Sequence, residues 1–448
     1  MRLTVIGTGY LGAVHAACMA DIGHDVLGVD SNEERVSLLS SGQAPFFEPG
    51  LQLLLRRGIG SGRLRFGTSI EEAADFGEVH FICVGTPQIA GSLALDTSGV
   101  GTAIRALGQH LRNPCLVVGK STVPVGTASR IAAELAAISP VGEGADLAWN
   151  PEFLREGLAV RDTLQPDRLV VGVSSTGAAE VLREVYAPLI TAGSPFISTD
   201  LATAELVKVA ANAFLATKIS FINGIADMCD AVGADVVTLA LALGHDGRIG
   251  HRGLSAGLGF GGGCLPKDLR GLLARAQELG VGESLAFLHQ VDAINVGRRE
   301  RAVRAVAELA GGSLAGRVVA VLGAAFKPQT DDVRDSPALA VAASLHLEGA
   351  RVRVHDPAAI ANARTAFPEL EYISDVQDAC ADADVVLHLT EWPEYRDIDP
   401  FMLCTVVRQP RLLDARNALP HDKWEAAGWT VRGLGVRGAM TSGVPVSE

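Results

Sequence analysis

A short apolar run, Leu3-Thr4-Val5-Ile6, breaks into Gly7-Thr8-Gly9-Tyr10-Leu11-Gly12 and continues into small residues through about Ile22. Glycines at this spacing after a strand suit one local structure. Gly7 permits a tight turn, Gly9 lets backbone approach a pyrophosphate, and Gly12 lets the next helix pack closely on the strand. A chain with 50 glycines produces such triplets by chance, so the context decides. Here the turn follows a strand, opens a helix and precedes an acid, Asp30, at the end of the next strand, Asp25–Val29. Asp30 would accept hydrogen bonds from the adenosine ribose and disfavours a 2′-phosphate, which predicts NAD rather than NADP. Arg35 works against that preference, and Tyr10, Leu11 and Arg35 complete the expected cofactor surface.

The same alternation continues. Val79–Val84, Cys115–Gly119 and Leu169–Val173 read as buried strands with helical stretches between them, so residues 1–200 are expected to form a parallel sheet with helices on both faces. From residue 201 the pattern changes to long helical readings, Ala204–Ala231 and Leu285–Leu309, separated by a Gly-rich stretch from Gly244 to Gly263 and a helix from Pro266 to about Leu279. Residues 201–300 therefore read as a helical connector. Over 301–448 the strand–helix grammar restarts at Val318–Leu322, with a helix over Pro337–Leu347 and strands at Val352–Val354, Ala383–Leu389 and Arg411–Asp414. Its turn, Gly323-Ala324-Ala325-Phe326, lacks the glycine fingerprint, and Asp356 at the matching strand end reads as a solvated acid. The expected class is α/β, two Rossmann-like doubly wound lobes joined by a central helical connector. The tail after about Arg437 reads as loose.

The segment Phe260-Gly261-Gly262-Gly263-Cys264-Leu265-Pro266-Lys267-Asp268 carries the most reactive chemistry. Pro266 suits the first turn of a helix, where its missing N–H costs nothing. Cys264 then lies just before a helix N-terminus, where the dipole favours a thiolate, and Lys267 adds positive charge. Asp268, four residues on, shares its face. Nicotinamide chemistry alone takes an alcohol to an aldehyde. A thiolate that adds to that aldehyde gives a thiohemiacetal, whose oxidation yields a thioester that water releases as an acid. A dinucleotide fold with an activated cysteine thus predicts a four-electron oxidation.

Bulk properties exclude other classes. A formal charge of −13 leaves no general nucleic-acid face. Seven cysteines without a C-x-x-C pair predict free thiols in a reducing, cytoplasmic setting, with no zinc site and no other metal. No apolar stretch reads as long enough to span a membrane, and the N-terminal run is too short for a signal segment.

Beyond these features the chain resembles the UDP-glucose/GDP-mannose dehydrogenase family. The match runs through Gly7–Gly12, Cys83-Val84-Gly85-Thr86-Pro87, Ser121-Thr122-Val123-Pro124, Asn150-Pro151-Glu152-Phe153-Leu154-Arg155-Glu156, Lys208-Val209-Ala210-Ala211-Asn212-Ala213-Phe214, the Cys264 segment, and Phe326-Lys327-Pro328 through Asp331-Asp332-Val333-Arg334-Asp335-Ser336-Pro337. The resemblance implies oxidation of a nucleotide sugar to a uronate with NAD. Ala211 to Ile219 and Arg248-Ile249-Gly250 are closest to the UDP-glucose branch. It implies Cys264 as nucleophile, Lys208 as oxyanion stabiliser, and Asn212, one helical turn on, as a hydrogen-bond donor to the same oxygen or to a water. It further implies Asp268 positioning a water in the alcohol step, Glu152 as general base for thioester hydrolysis, and Thr122 orienting the water network. Glu156 and Thr86 fall at the cofactor side, and Lys267 and Arg334 match positions that touch NAD. Phe153, Leu154, Arg155, Lys327, Gly261 and the loop Gly253-Leu254-Ser255-Ala256-Gly257 match positions that hold the UDP-sugar. Arg248 matches an arginine that reaches a neighbouring subunit's substrate.

Three positions depart from the family: Gly263 where serine is common, Leu265 where phenylalanine is common, and Gly253 where an aromatic often stands. Leucine at 265 is also usual in GDP-mannose dehydrogenases, so GDP-mannose or another nucleotide sugar stays open, as do a two-electron hydroxyacid dehydrogenase and a non-catalytic nucleotide-sugar sensor. The apolar stripes of the central helices exceed what one lobe covers and predict a homodimer.

Overall fold

The structure is a computed structural model that describes residues 1–436; the tail expected to be loose after about Arg437 lies outside the described residues. Its first sheet contains β1 (Arg2–Ile6), β2 (Asp25–Val29), β3 (Leu64–Gly67), β4 (Val79–Ile82), β5 (Cys115–Gly119), β6 (Ala145–Trp149), β7 (Leu169–Val173) and β8 (Phe196–Thr199). They lie in the order β3-β2-β1-β4-β5-β6-β7-β8. All neighbours pair in parallel except β6 and β7, which run antiparallel. Antiparallel pairing needs no crossover over a sheet face, which leaves the β6–β7 connection free to form the loop from Asn150 to Glu156. The second sheet contains β9 (Val318–Leu322), β10 (Arg351–His355), β11 (Glu371–Tyr372), β12 (Val385–His388), β13 (Arg411–Asp414) and β14 (Thr430–Gly433), parallel throughout in the order β11-β10-β9-β12-β13-β14. The α/β class with two doubly wound sheets is thus the one the alternation predicts.

Strand periodicity explains the layering. In β1, Leu3 and Val5 enter one apolar cluster while Ile6 enters another. In β5, Leu116 and Val118 join the first cluster and Val117 the second. Successive side chains point to opposite faces, so central strands buried on both faces read as unbroken apolar runs.

The chain divides into two compact units, 1–212 with 270–282, and 213–269 with 283–448. The segment 201–300 is therefore shared between them. It holds helices Leu201–Val232, Val236–Gly244, Leu265–Glu278 and the start of Phe287–Ala310. Leu201–Val232 is long and apolar enough to cross a membrane by length and composition, which corrects the expectation that no stretch is. Two of its buried polar side chains meet protein partners: Glu205 accepts from Gly126 N–H and Ala128 N–H, and Ser220 Oγ donates to the Val291 carbonyl.

Candidate active site

The glycine turn sits between β1 and helix Tyr10–Asp21, beside β4, where the strand order reverses. Gly7 has φ +87°, the left-handed region. A Cβ on Gly12 would stand 1.9 Å from the Gly7 carbonyl oxygen, so no larger residue fits there. Gly9 is different: its Cβ would meet nothing, and as the helix N-cap it leaves the first-turn N–H groups without a side-chain cap. Uncapped N–H groups beside open space suit a pyrophosphate. Gly12→Ala is expected to lower stability by at least about 1–3 kcal/mol through overpacking and to weaken NAD binding. Thermal unfolding with and without NAD checks both.

Asp30 closes β2 as expected, and it is buried. Its Oδ2 accepts from Thr8 N–H (2.8 Å), Thr8 Oγ (3.2 Å) and Arg35 Nη1 (2.9 Å). Burial alone would raise its carboxyl, but hydrogen bonds from Asn32 N–H, Arg35 and Thr8 N–H outweigh it and hold the group below the usual carboxylate range. Arg35 is thus tied to Asp30.

Tyr10 and Glu48 hydrogen-bond each other closely, and both meet the Gly157 N–H, at 2.9 Å and 2.7 Å. Burial first, then the Glu48 carboxylate, pushes the Tyr10 hydroxyl far up. Tyr10 therefore fastens the loop that carries Glu152, Phe153, Leu154, Arg155 and Glu156. Within it, Glu152 Oε1 pairs with Lys208 Nζ at 2.9 Å and Glu152 Oε2 accepts from Leu154 N–H. Lys208 is buried and Glu152 is largely, though not fully, enclosed. Burial would raise the Glu152 carboxyl; Lys208, the Leu154 N–H and Lys120 reverse that and lower it. Phe153 lies under the guanidinium of Arg168 and near Lys208, and Arg155 forks onto Asp162. Thr86 Oγ donates to the Thr122 carbonyl (2.7 Å), joining the loops after β4 and β5. Asn212, buried, follows Lys208 by one helical turn.

The second unit holds the thiol. Helix Leu265–Glu278 starts one residue ahead of Pro266, and the Cys264 carbonyl accepts from Asp268 N–H at 2.9 Å, which sets half-buried Cys264 at the helix start. Lys267 Nζ pairs with buried Asp268 at 2.6 Å, so its charge is directed there. Crowding forces glycine at 261, where a Cβ would stand 2.2 Å from the Asp335 carbonyl, whereas at Gly263 it would meet the movable guanidinium of Arg334 at 2.4 Å. Arg334 itself forks onto Asp332.

A cleft of about 830 Å³ opens in this unit. Gly253, Leu254, Ser255, Ala256, Gly257, Gly261 and Lys327 all line it, and so does Leu265. Gly253 has φ +81°, a conformation that favours glycine over the aromatic often found there. Arg248 is not among its lining residues; it lies exposed and paired with Asp246. Among the described residues no cluster of three His, Cys, Asp or Glu could hold a metal ion, and all seven cysteines are free.

Sequence reading missed the residues that hold these loops. Asn295 bonds both the N–H (2.7 Å) and the carbonyl (2.9 Å) of Phe260, while Asn223 and Arg298 take the N–H and carbonyl of Gly257. Arg416, a cleft-lining residue, donates to the carbonyls of Gly259 and Leu389. Asn223 stands out as a polar residue on an apolar helix, whereas Asn295 and Arg298 lie on a helix rich in charged residues and carry no such signal. Asp356 corrects an expectation: it is buried, not solvated, and accepts from Ala324 N–H, Ala325 N–H and Trp392 Nε1. In the second sheet this carboxylate satisfies the turn's own amides, which the first sheet leaves open at Gly9.

Comparison with known proteins decides the family. Residues 1–190 match the NAD binding domain of the UDP-glucose/GDP-mannose dehydrogenase family, 202–296 its central domain and 320–421 its UDP binding domain. The chain belongs to the UDP-glucose/GDP-mannose dehydrogenase family. It is 43% identical to the UDP-glucose 6-dehydrogenase of Rhizobium meliloti over 97% of this chain and 99% of that protein. It is 40% identical to UDP-glucose 6-dehydrogenase TuaD of Bacillus subtilis over 100% of this chain and 97% of that protein. A solved UDP-glucose dehydrogenase from Pyrobaculum islandicum superposes with a TM-score of 0.89 at 39% identity, covering 97% of each chain. This family member is an NAD-dependent dehydrogenase, and the open amides at Gly9 with Asp30 at the β2 end fit NAD.

Proposed function

We propose that this chain oxidises UDP-glucose at C6 to UDP-glucuronate through an ester on Cys264. One observation carries the reading: Gly261 and Leu265 both line the cleft of the UDP-binding unit, and Cys264 stands between them at a helix start. The names of the relatives at 40% and 43% identity supply the sugar.

When bound, NAD accepts a hydride in each of the two oxidations. The residues of the chain do the rest. Lys208, a fixed buried cation, stabilises negative charge developing on the C6 oxygen, with Asn212 donating to the same oxygen or to a water. Asp268 positions the water that takes the alcohol proton. The Cys264 thiolate adds to the aldehyde to give a thiohemiacetal, which is oxidised to a thioester. Glu152 removes a proton from the water that cleaves that ester, releasing the acid and the thiol, and Thr122 orients the water. Lys327, the loop Gly253–Gly257, Gly261 and the residues Phe153–Glu156 hold the UDP-sugar. Gly7–Gly12, Asp30, Arg35, Thr86, Glu156, Lys267 and Arg334 face NAD. The reading includes three functional segments, 1–200 for NAD, 201–300 for connection and dimerisation, and 301–448 for UDP-sugar. It also includes a cytoplasmic homodimer in which Arg248 reaches the partner's substrate.

Purified protein is expected to yield two NADH per UDP-glucose consumed and to prefer NAD to NADP. A single NADH per substrate would rule out the ester route. Leu265 favours a second reading, GDP-mannose, and turnover of GDP-mannose without UDP-glucose would select it.

A further inference from the structure

We infer that Lys120 is a positioning residue for Glu152, acting through Asn150 and Tyr186 to fix the loop that presents the carboxylate to the attacking water. The inference rests on the assignment of Glu152 as the base for ester hydrolysis. Lys120 directly follows β5, and its backbone N–H donates to the Ile82 carbonyl. Its side chain is buried, an unusual place for an ammonium unless something specific holds it there. That something is Asn150, the residue after β6. Lys120 Nζ donates to Asn150 Oδ1 at 2.9 Å, and Tyr186 Oη donates to the same oxygen at 2.6 Å. Asn150 Nδ2 donates to the Val170 carbonyl (2.7 Å) and its backbone N–H to the Gly119 carbonyl (2.8 Å). All three polar side chains are almost wholly removed from solvent.

The network sits where it matters. Asn150 is tied to β5, β7 and Tyr186 at once, and two residues later the chain delivers Glu152 to Lys208. A buried hydrogen-bonded network of this kind favours one geometry and transmits it to the next residues. Lys120, Asn150, Tyr186, Glu152 and His15 are among the residues that line one cavity of about 60 Å³, so the network and the carboxylate face the same space. Lys120 also faces Glu152 electrostatically. Its ammonium is pushed down to about 8, chiefly by burial, with the Cys83 thiol and the Glu152 carboxylate acting the other way. His15, across the cavity, is held neutral by burial. Two cations therefore address Glu152: Lys208 by direct contact and Lys120 through the loop it anchors. The second explains why an ammonium is kept where an apolar side chain would cost less to bury.

The test separates ester hydrolysis from the steps before it. Lys120→Met keeps length and loses the bond to Asn150; Tyr186→Phe keeps volume and loses only its hydroxyl. Each full-length variant is mixed with UDP-glucose and NAD, the NADH burst is followed by stopped flow, and quenched protein is weighed intact. Lys120→Met is expected to retain the burst, to lose about tenfold to a hundredfold in steady-state rate, part of what a positioned base supplies, and to accumulate the uronyl ester on Cys264. Tyr186→Phe follows in the same direction with a smaller loss. KM for UDP-glucose stays near the wild-type value in both. A general packing defect would instead reduce the burst itself and leave no ester. Wild-type kinetics, or a slow rate without ester, overturns the inference, and if Lys120→Met is insoluble the same outcomes in Tyr186→Phe decide. Glu152→Gln runs alongside. If it accumulates ester while the other two do not, the positioning role fails and the base assignment stands. If Glu152→Gln accumulates none, the base assignment fails and the positioning role with it.

Discussion

Cys264→Ser is expected to abolish formation of UDP-glucuronate, with steady-state NADH production falling at least about 10³-fold. A serine hydroxyl keeps the size of the thiol but stays protonated at neutral pH, and a helix N-terminus stabilises a charge that is then never formed. The helix start at Leu265 and the crowded glycines before it hold position 264 in place whichever residue occupies it. The variant should therefore fold normally and bind UDP-glucose and NAD with little change. The decisive measurement is calorimetric binding beside turnover. Lost turnover with intact binding supports the nucleophile, whereas turnover within about tenfold of wild type removes Cys264 from the chemistry. Lost binding would mark position 264 as structural.

Much of this could be read from sequence because single strands and turns announce themselves. β2, β5, β7, β9 and β13 fall at the expected residues, since each is flanked by strands on both sides and carries an apolar run. The strands that escaped notice are β3, β6, β8, β11 and β14. Four of them lie at or next to sheet edges, where residues such as Arg65, Glu371 and Arg432 replace the apolar run. β6 carries Asp146, whose carboxylate is taken by Ser174 and Ser175, a partnership no local pattern reveals.

The site divides the same way. Gly7, Gly12 and Asp30 are legible because the constraint on each is local, a turn, a close approach or a strand end. Asn150, Asn223, Asn295 and Arg298 are not, because each acts on a segment far away in sequence. Asp356 shows the converse error. A lone acid at a strand end reads as solvated, yet the turn above it lacks the glycines that would leave its amides to a ligand, and the carboxylate satisfies them instead.

The pair formed by Lys208 and Glu152 gives the second large effect. Lys208→Met removes the cation that pairs with Glu152 Oε1 and leaves a carboxylate in a largely enclosed site. Breaking one side of a buried pair costs about 3–5 kcal/mol, because the remaining charge keeps its desolvation penalty. The loss depends on pH with a definite sign. The Glu152 carboxyl is lowered in the folded protein, so its contribution is present above the usual carboxylate range and disappears as pH falls through the folded value. The Lys208→Met deficit in urea unfolding should accordingly be largest near neutral pH and shrink in acid. Adding Glu152→Gln to Lys208→Met removes the stranded charge and should recover most of the stability. It should recover none of the activity, which falls on the order of 10²–10³-fold when an oxyanion donor is lost and further when the hydrolytic base goes with it. Stability and activity thus move in opposite directions on adding the second substitution. If the double variant is no more stable than Lys208→Met, the ion pair is not what stabilises this loop. If Lys208→Met keeps near-wild-type turnover, the ammonium serves the fold alone.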